Sequence, residues 1–317
     1  MSPEITMLFK TLLLAVVQGI AEFLPISSSG HLLVLGRLLE LPEIFTLSIL
    51  LHLGTLASVI VFFRRELLDV LLRRQRAILL VIVGSIPTGI IGVIIVKYFD
   101  FLEESLLVTG LGFFVTGLLL VTLVRRHCCT EHQLYFDMVE RSIEEEEIGM
   151  ELEAPKTIET TSFLDALIVG TAQGISALPG LSRSGSTISA AAGLNFDREW
   201  AAEFSFFLSI PVILGGAALE IVKLVKSYQA SGEESLLAML RSDSMTTVYL
   251  IGMLVSFFVG WISLYYLMRL LKSGRLHYFA VWLFFMGVVC LAWNFWPDIM
   301  TQLDAAGLGD LVRRMFQ

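Results

Sequence analysis

Residues 18–31 read Gln-Gly-Ile-Ala-Glu-Phe-Leu-Pro-Ile-Ser-Ser-Ser-Gly-His. They place an amide (Gln18), a carboxylate (Glu22), three consecutive hydroxyls (Ser27, Ser28, Ser29), a glycine (Gly30) and an imidazole (His31) directly after the apolar run 11–17, with no charged spacer. A charge held at membrane depth costs from about 2.5 to more than 10 kcal/mol, so such groups face a protein interior or a wet cavity and are functional candidates. Carboxylate and imidazole are proton-transfer groups, and hydroxyls beside them are nucleophiles or phosphate donors.

A second copy of this pattern lies 155 residues on. Gln173, Gly174 and Ile175 repeat Gln18, Gly19 and Ile20; Ser182, Ser184 and Gly185 repeat Ser27, Ser29 and Gly30; Pro179 answers Pro25 at an offset of 154. The second copy adds Arg183 among the hydroxyls of Ser182, Ser184, Ser186 and Thr187. Ser-rich, Gly-containing turns facing an arginine are a phosphate-binding composition, because hydroxyls and freed amides donate to the oxygens and Arg makes two-point charge-assisted bonds. The candidate reactive set is Glu22, Ser28, His31 and Arg183, and the candidate substrate contacts are Gln18, Ser27, Ser29, Gly30, Ser182, Ser184 and Thr187. Either a serine or the imidazole is a candidate to attack phosphorus. Arg183 stabilises charge on the phosphoryl oxygens, and Glu22 acts as base or orienter. With a pyrophosphate substrate, Glu22 is also the expected ligand of a bridging divalent cation, Mg²⁺ or Ca²⁺.

These groups need elements that carry them into a membrane. The chain is 56% hydrophobic and 16% charged, against roughly 25% charged for soluble domains, and its mean hydropathy is +0.78. It reads as an all-α integral membrane protein. Pro25 and Gly30, like Pro179 and Gly185, interrupt their helices, so each copy is a re-entrant hairpin. Six further apolar runs, 45–63, 77–96, 105–124, 200–222, 246–268 and 277–296, are each long enough to cross. Three crossings per copy oblige the second copy to insert upside down, an inverted-topology repeat whose two hairpins meet inside the membrane. The expected organisation is a first repeat at 1–130, an acidic cytoplasmic loop at 131–160, a second repeat at 161–297 and a C-terminal tail at 298–317.

The formal charge of -8 is local. Residues 131–159 hold ten acids against Arg141 and Lys156, and the rest of the chain is balanced. That loop reads as a solvated linker, and nothing calls for a nucleic-acid partner. Three cysteines, two of them adjacent (Cys128, Cys129), form no disulfide framework and read as free thiols. The N-terminus has Lys10 before an apolar run but no small-residue cleavage site, so it reads as retained. The arginines of loop 64–76 and the bases of loop 269–276 place those loops in the cytosol, with both termini and the mouth of the first hairpin outside. His52, Glu203 and Glu220 also fall within spans, where one polar bond to a neighbouring helix would suffice, and Trp261, Trp282, Trp293 and Trp296 read as interface belts.

The two motifs, together with Phe-Ser-Phe-Phe-Leu-Ser-Ile-Pro at 204–211, resemble the undecaprenyl-pyrophosphate phosphatase family, also called the bacitracin-resistance protein family, over about residues 8–296. The resemblance implies a polyprenyl-diphosphate phosphatase, a phosphoric anhydride hydrolase. Its substrate would be a membrane lipid, undecaprenyl pyrophosphate, cleaved at the outer face of the bacterial inner membrane to recycle the carrier for peptidoglycan. It places the family's catalytic glutamate on Glu22, its serine pair on Ser27 and Ser28, its histidine on His31 and its phosphate-binding arginine on Arg183. Where the family has a first glutamate, this sequence has Gln18, which removes one of two carboxylates from any shared metal site. The acidic loop is longer than the resemblance leads one to expect, and a homodimer is compatible with the sequence. The alternative is a transporter or flippase of a lipid phosphate or small anion, since paired broken helices are also transporter architecture. A phosphatidic-acid-type phosphatase shares the Ser-Gly-His triplet but needs further Lys/Arg and His motifs that are absent.

Overall fold

The computed structural model describes residues 3–40, 44–102, 104–122, 154–231, 243–273 and 275–305. In chain order the helices are α1 (Pro3–Ala21), α2 (Ser28–Leu38), α3 (Ile44–Phe62), α4 (Arg64–Leu72), α5 (Gln75–Tyr98), α6 (Leu106–Thr122), α7 (Phe163–Ile175), α8 (Arg183–Gly193), α9 (Arg198–Ser231), α10 (Asp243–Lys272) and α11 (Tyr278–Ala305). Among the described residues the only extended pairing is one bridge between Lys156 and Phe196.

The described residues are helical apart from short connections, and the chain is a multi-pass membrane protein. Within α5, α9, α10 and α11 lie four segments long and apolar enough to cross, and α3 with α4 makes a fifth if their 69° bend lies within one span. The expected span 105–124 is α6 as far as Thr122, and its last two residues lie outside the described ones. Along α5, Ile82, Ile86, Ile90 and Val93 are all exposed; such a stripe at helical spacing fits a lipid environment and not water.

The two hairpins are built alike. In the first, α1 and α2 are joined through residues 22–27; in the second, α7 and α8 are joined through residues 176–182. Each return helix starts on a serine cap. Ser27 Oγ accepts from the Gly30 N–H at 3.4 Å, and Ser182 Oγ accepts from the Gly185 N–H at 3.1 Å. These caps satisfy amides that would otherwise be orphaned in a low-dielectric setting. Ser27 takes a left-handed backbone, φ 68°, which a non-glycine residue adopts only at a cost.

Each hairpin rests on a helix from the other half of the chain. Helix α1 lies along α10 and α7 along α5. The α5–α7 crossing is a glycine contact: a Cβ on Gly170 would come within 1.9 Å of the Gly84 carbonyl. Pro87 removes a backbone donor from this turn of α5. Beside it Thr88 Oγ1 donates to the carbonyls of Gly84 (3.0 Å) and Gly170 (2.7 Å). On the other side Gly19 abuts Val259 and Gly260, and Gly54 of α3 abuts Met253 and Ser256. Small residues let backbones approach where lipid tails offer no competing hydrophobic drive.

Four segments gather at one end of the molecule. Arg76, at the start of α5, donates to the carbonyls of Ile158 (3.2 Å) and Thr161 (2.7 Å). Lys156 pairs with Asp165 at 3.0 Å, and Trp200 donates its indole N–H to Thr161 at 2.9 Å. Arg198 reaches the Lys272 carbonyl at 3.2 Å, and Lys272 pairs with Glu199 at 2.6 Å. At the other end Lys10 binds the Leu39 carbonyl, and Arg37 binds the Glu104 carbonyl.

Candidate active site

The break after α1 leaves Glu22 pointing into the protein, held by its buried neighbour Phe23, whose ring packs edge-on against Phe206 of α9 at 5.8 Å. Both carboxylate oxygens are engaged. Oε1 accepts from Arg183 Nη2 at 2.5 Å, across the meeting point of the hairpins. Oε2 accepts from Ser28 Oγ at 2.7 Å and from Gln18 Nε2 at 3.0 Å, and His52 Nε2 stands 3.5 Å from it. Glu22 is 6% exposed and Gln18 fully buried, so this is a carboxylate taken out of solvent and compensated almost entirely by protein donors.

These groups border a cavity of about 200 Å³ lined by Glu22, Ser27, Ser28, Ser29, Ser182 and Arg183 from the two motifs, with His52 and Ser176. Arg183 is the first residue of α8, and its second terminal nitrogen, Nη1, is buried without a partner. One arm of the guanidinium therefore neutralises Glu22 while the other remains unpaired. An orphaned charged donor is expensive unless a ligand completes it.

The remaining sequence-derived residues are placed beside the cavity, not on it. Gln18 sits behind Glu22, with its Oε1 buried and unpartnered. Gly30 is where the hairpins touch: a Cβ there would meet Phe113 at 2.6 Å and the Gly180 backbone at 3.2 Å. Ser184 Oγ bonds Ser182 Oγ (3.2 Å) and the Leu24 carbonyl (3.4 Å), tying one hairpin tip to the other. Thr187 bonds the Arg183 carbonyl (2.8 Å) and Ser205 Oγ (2.5 Å), which braces the turn carrying Arg183. Gln173, the counterpart of Gln18, donates to the Leu208 carbonyl at 3.0 Å in α9 near Pro211.

His31 is not among the residues lining the cavity. Its Nδ1 lies 2.8 Å from the Ser27 carbonyl, and its Nε2 accepts from the Trp282 indole N–H at 2.9 Å. The imidazole that does face Glu22 belongs to His52, whose Nδ1 is anchored 2.7 Å from the Ser48 carbonyl. From sequence, His52 is a mid-span polar residue that one bond to a neighbouring helix would satisfy, and Trp282 belongs to an interface belt. The usable signal for His52 was an imidazole in mid-span, four residues after Ser48. For Trp282 there was none, because 251 residues separate it from His31. Glu203 is half-buried in α9 and not on the cavity, and the side chain of Glu220 lies outside those described.

As an arrangement, a hydroxyl hydrogen-bonded to a buried carboxylate, with an arginine offering a free arm beside it, is equipped to activate an oxygen nucleophile next to a bound phosphate. Comparison with known proteins gives the family. The profile of the family described as "Bacitracin resistance protein BacA" matches residues 11–289. A protein of Rhodopirellula baltica named undecaprenyl-diphosphatase is 38% identical over 288 residues, covering 90% of this chain and 98% of the relative. One of the same name from Carboxydothermus hydrogenoformans is 35% identical over 285 residues, covering 89% of this chain and 96% of the relative. A third, from Halothermothrix orenii, is 33% identical over 288 residues, covering 90% and 97%. A profile match over most of the length, with relatives this similar end to end, places the chain in the bacitracin resistance protein BacA family.

Proposed function

We propose that this protein hydrolyses undecaprenyl pyrophosphate to undecaprenyl phosphate and inorganic phosphate. The observation that carries the reading is the Ser28–Glu22–Arg183 chain at the junction of the two hairpins, in a protein whose relatives bear the name of that activity. Ser28 Oγ attacks the terminal phosphorus as Glu22 Oε2 takes its proton. The phosphoric anhydride bond breaks, and the bridging oxygen leaves on the lipid phosphate. Water then attacks the phosphoserine, giving its proton to a carboxylate that has returned the first one to the Ser28 oxygen. Arg183 Nη1 binds a phosphoryl oxygen, so the fork spans Glu22 and the substrate. His31, one helical turn along α2 from Ser28, is the second proton-transfer group.

A divalent cation, Mg²⁺ or Ca²⁺, fits the same place in part. Among the described residues no group of three or more His, Cys, Asp or Glu is arranged to hold a metal. What borders the cavity is the Glu22 carboxylate and the His52 Nε2 facing it; Gln18, with its orphaned Oε1, lies behind them. Such a partial set needs substrate oxygens to complete it, which is how Mg²⁺ is often held with phosphates. When bound, the cation would neutralise pyrophosphate charge.

The topology we infer is six crossings with two re-entrant hairpins in an inverted repeat, the first repeat ending near residue 130 and the second spanning 161–297. The reciprocal rests of α1 on α10 and α7 on α5 support it. Basic loop 64–76 meets segment 156–161 through Arg76, and basic loop 269–276 meets the start of α9, whose Trp200 holds Thr161; this supports a cytosolic assignment of that end. The site then opens to the outer face of a bacterial inner membrane. No observation favours the transporter or flippase alternative.

The test is phosphate release from undecaprenyl pyrophosphate by purified protein with Mg²⁺ or Ca²⁺ supplied. Release by the unaltered protein and its loss in Ser28→Ala is the expected result. Undiminished release in Ser28→Ala would remove Ser28 as nucleophile, and no release by the unaltered protein would overturn the activity itself.

A further inference from the structure

The imidazole of His31 is fixed by two partners that each work in one direction. A backbone carbonyl only accepts, so Nδ1, 2.8 Å from the Ser27 oxygen, carries the proton. An indole N–H only donates, so Nε2, 2.9 Å from Trp282 Nε1, is the unprotonated nitrogen and its lone pair is taken. The two rings are nearly parallel, 13° apart with centroids at 6.0 Å, and the edge of Phe113 closes another side at 5.2 Å. As held, His31 has no nitrogen free for a substrate.

Trp282 itself is 44% exposed, and it belongs to an apolar face of α11 on which Tyr278, Val281, Phe285 and Val288 are also exposed. That face lies in a helix long and apolar enough to span a membrane. The indole thus stands between this lipid-facing surface of α11 and His31.

We propose that Trp282 is a specificity-determining latch: its N–H occupies His31 Nε2 until the polyprenyl chain of the substrate, settling on this face of α11, displaces the indole and frees the imidazole. This rests on the reading that His31 serves phosphate release. A soluble pyrophosphate brings no chain, leaves the latch shut, and meets an enzyme lacking one of its proton-transfer groups. Membrane-borne pyrophosphates are thereby favoured over soluble ones without any pocket that measures the headgroup.

Trp282→Phe keeps an aromatic ring on α11 and removes only the N–H. Phosphate release is measured from undecaprenyl pyrophosphate and from a short, water-soluble isoprenyl pyrophosphate. The expected result is a rise in the short-to-long rate ratio of about fivefold or more, the weight of one neutral hydrogen bond. An unchanged ratio, or a parallel fall in both rates, overturns the latch. In Trp282→Phe/His31→Ala the gain in ratio should vanish; a gain that persists shows that it does not run through His31 and overturns the proposal. The reading beneath it fails separately, if His31→Ala alone retains full activity on the long substrate. As a second readout, the part of the tryptophan emission that Trp282→Phe removes should shift when undecaprenyl phosphate is added to the unaltered protein, and a constant spectrum would contradict displacement.

Discussion

Arg183 donates to Glu22 across 161 positions of sequence, at 2.5 Å, and keeps its second terminal nitrogen buried and unpaired. The pair joins the tips of two hairpins and holds a carboxylate and a guanidinium at one cavity. Glu22 engages one arm of the fork, and in the proposed reaction the other arm binds the substrate.

Arg183→Lys should therefore separate structure from catalysis. A lysine preserves the charge against Glu22 but cannot span carboxylate and phosphate together. Activity on undecaprenyl pyrophosphate should fall roughly 100- to 1000-fold, the scale of losing one transition-state donor, while the thermal midpoint in detergent stays near that of the unaltered protein. Arg183→Ala should lose both, since removing one partner of a buried pair costs about 3–5 kcal/mol. Near-native turnover in Arg183→Lys would take the guanidinium out of the phosphate site.

The α5–α7 contact makes Gly170 a packing position off the cavity lining. Its added Cβ would fall within 1.9 Å of the Gly84 carbonyl, backbone that cannot step aside as a side chain would. Gly170→Ala should lower the thermal midpoint, with a cost of about 1–3 kcal/mol as for overpacked cores. Activity should fall because a shifted α7 displaces the turn at 176–182 that leads into Arg183, the first residue of α8. Gly89, which has nothing within 4 Å of its virtual Cβ, is the internal control, and Gly89→Ala should be neutral. Equal melting of the two variants would contradict the packing argument.

For the acidic segment, the structure narrows the deletion that the charge pattern suggests. A linker reading allows removal of everything from 133 to 156, yet Lys156 is bound on both sides. Its side chain pairs with Asp165 at 3.0 Å, and its backbone accepts from Asp197 at 2.9 Å and donates to Asn195 at 2.7 Å. Deleting 133–152 should leave hydrolysis intact in the purified protein. Extending the deletion through Lys156 should depress the melting temperature. Loss of activity in a well-folded 133–152 deletion would show that the segment does more than connect.

Sequence alone determined the membrane class, the two interrupted hairpins and most of the cavity's chemistry. Apolar runs of spanning length and ionisable residues buried among them follow from local composition, because lipid permits so few ways to satisfy a backbone or a charge. Six of the residues singled out, Glu22, Ser27, Ser28, Ser29, Ser182 and Arg183, do line one cavity. Which imidazole faces Glu22 was a tertiary decision. His31 carries the conspicuous position next to the serines, but helix α2 turns it toward Trp282 on α11, while α3 delivers His52 from outside both motifs. The bend between α3 and α4 and the crossing of Gly84 with Gly170 were likewise invisible. Each depends on how closely two backbones can approach, a property of a pair of helices that neither sequence segment carries by itself.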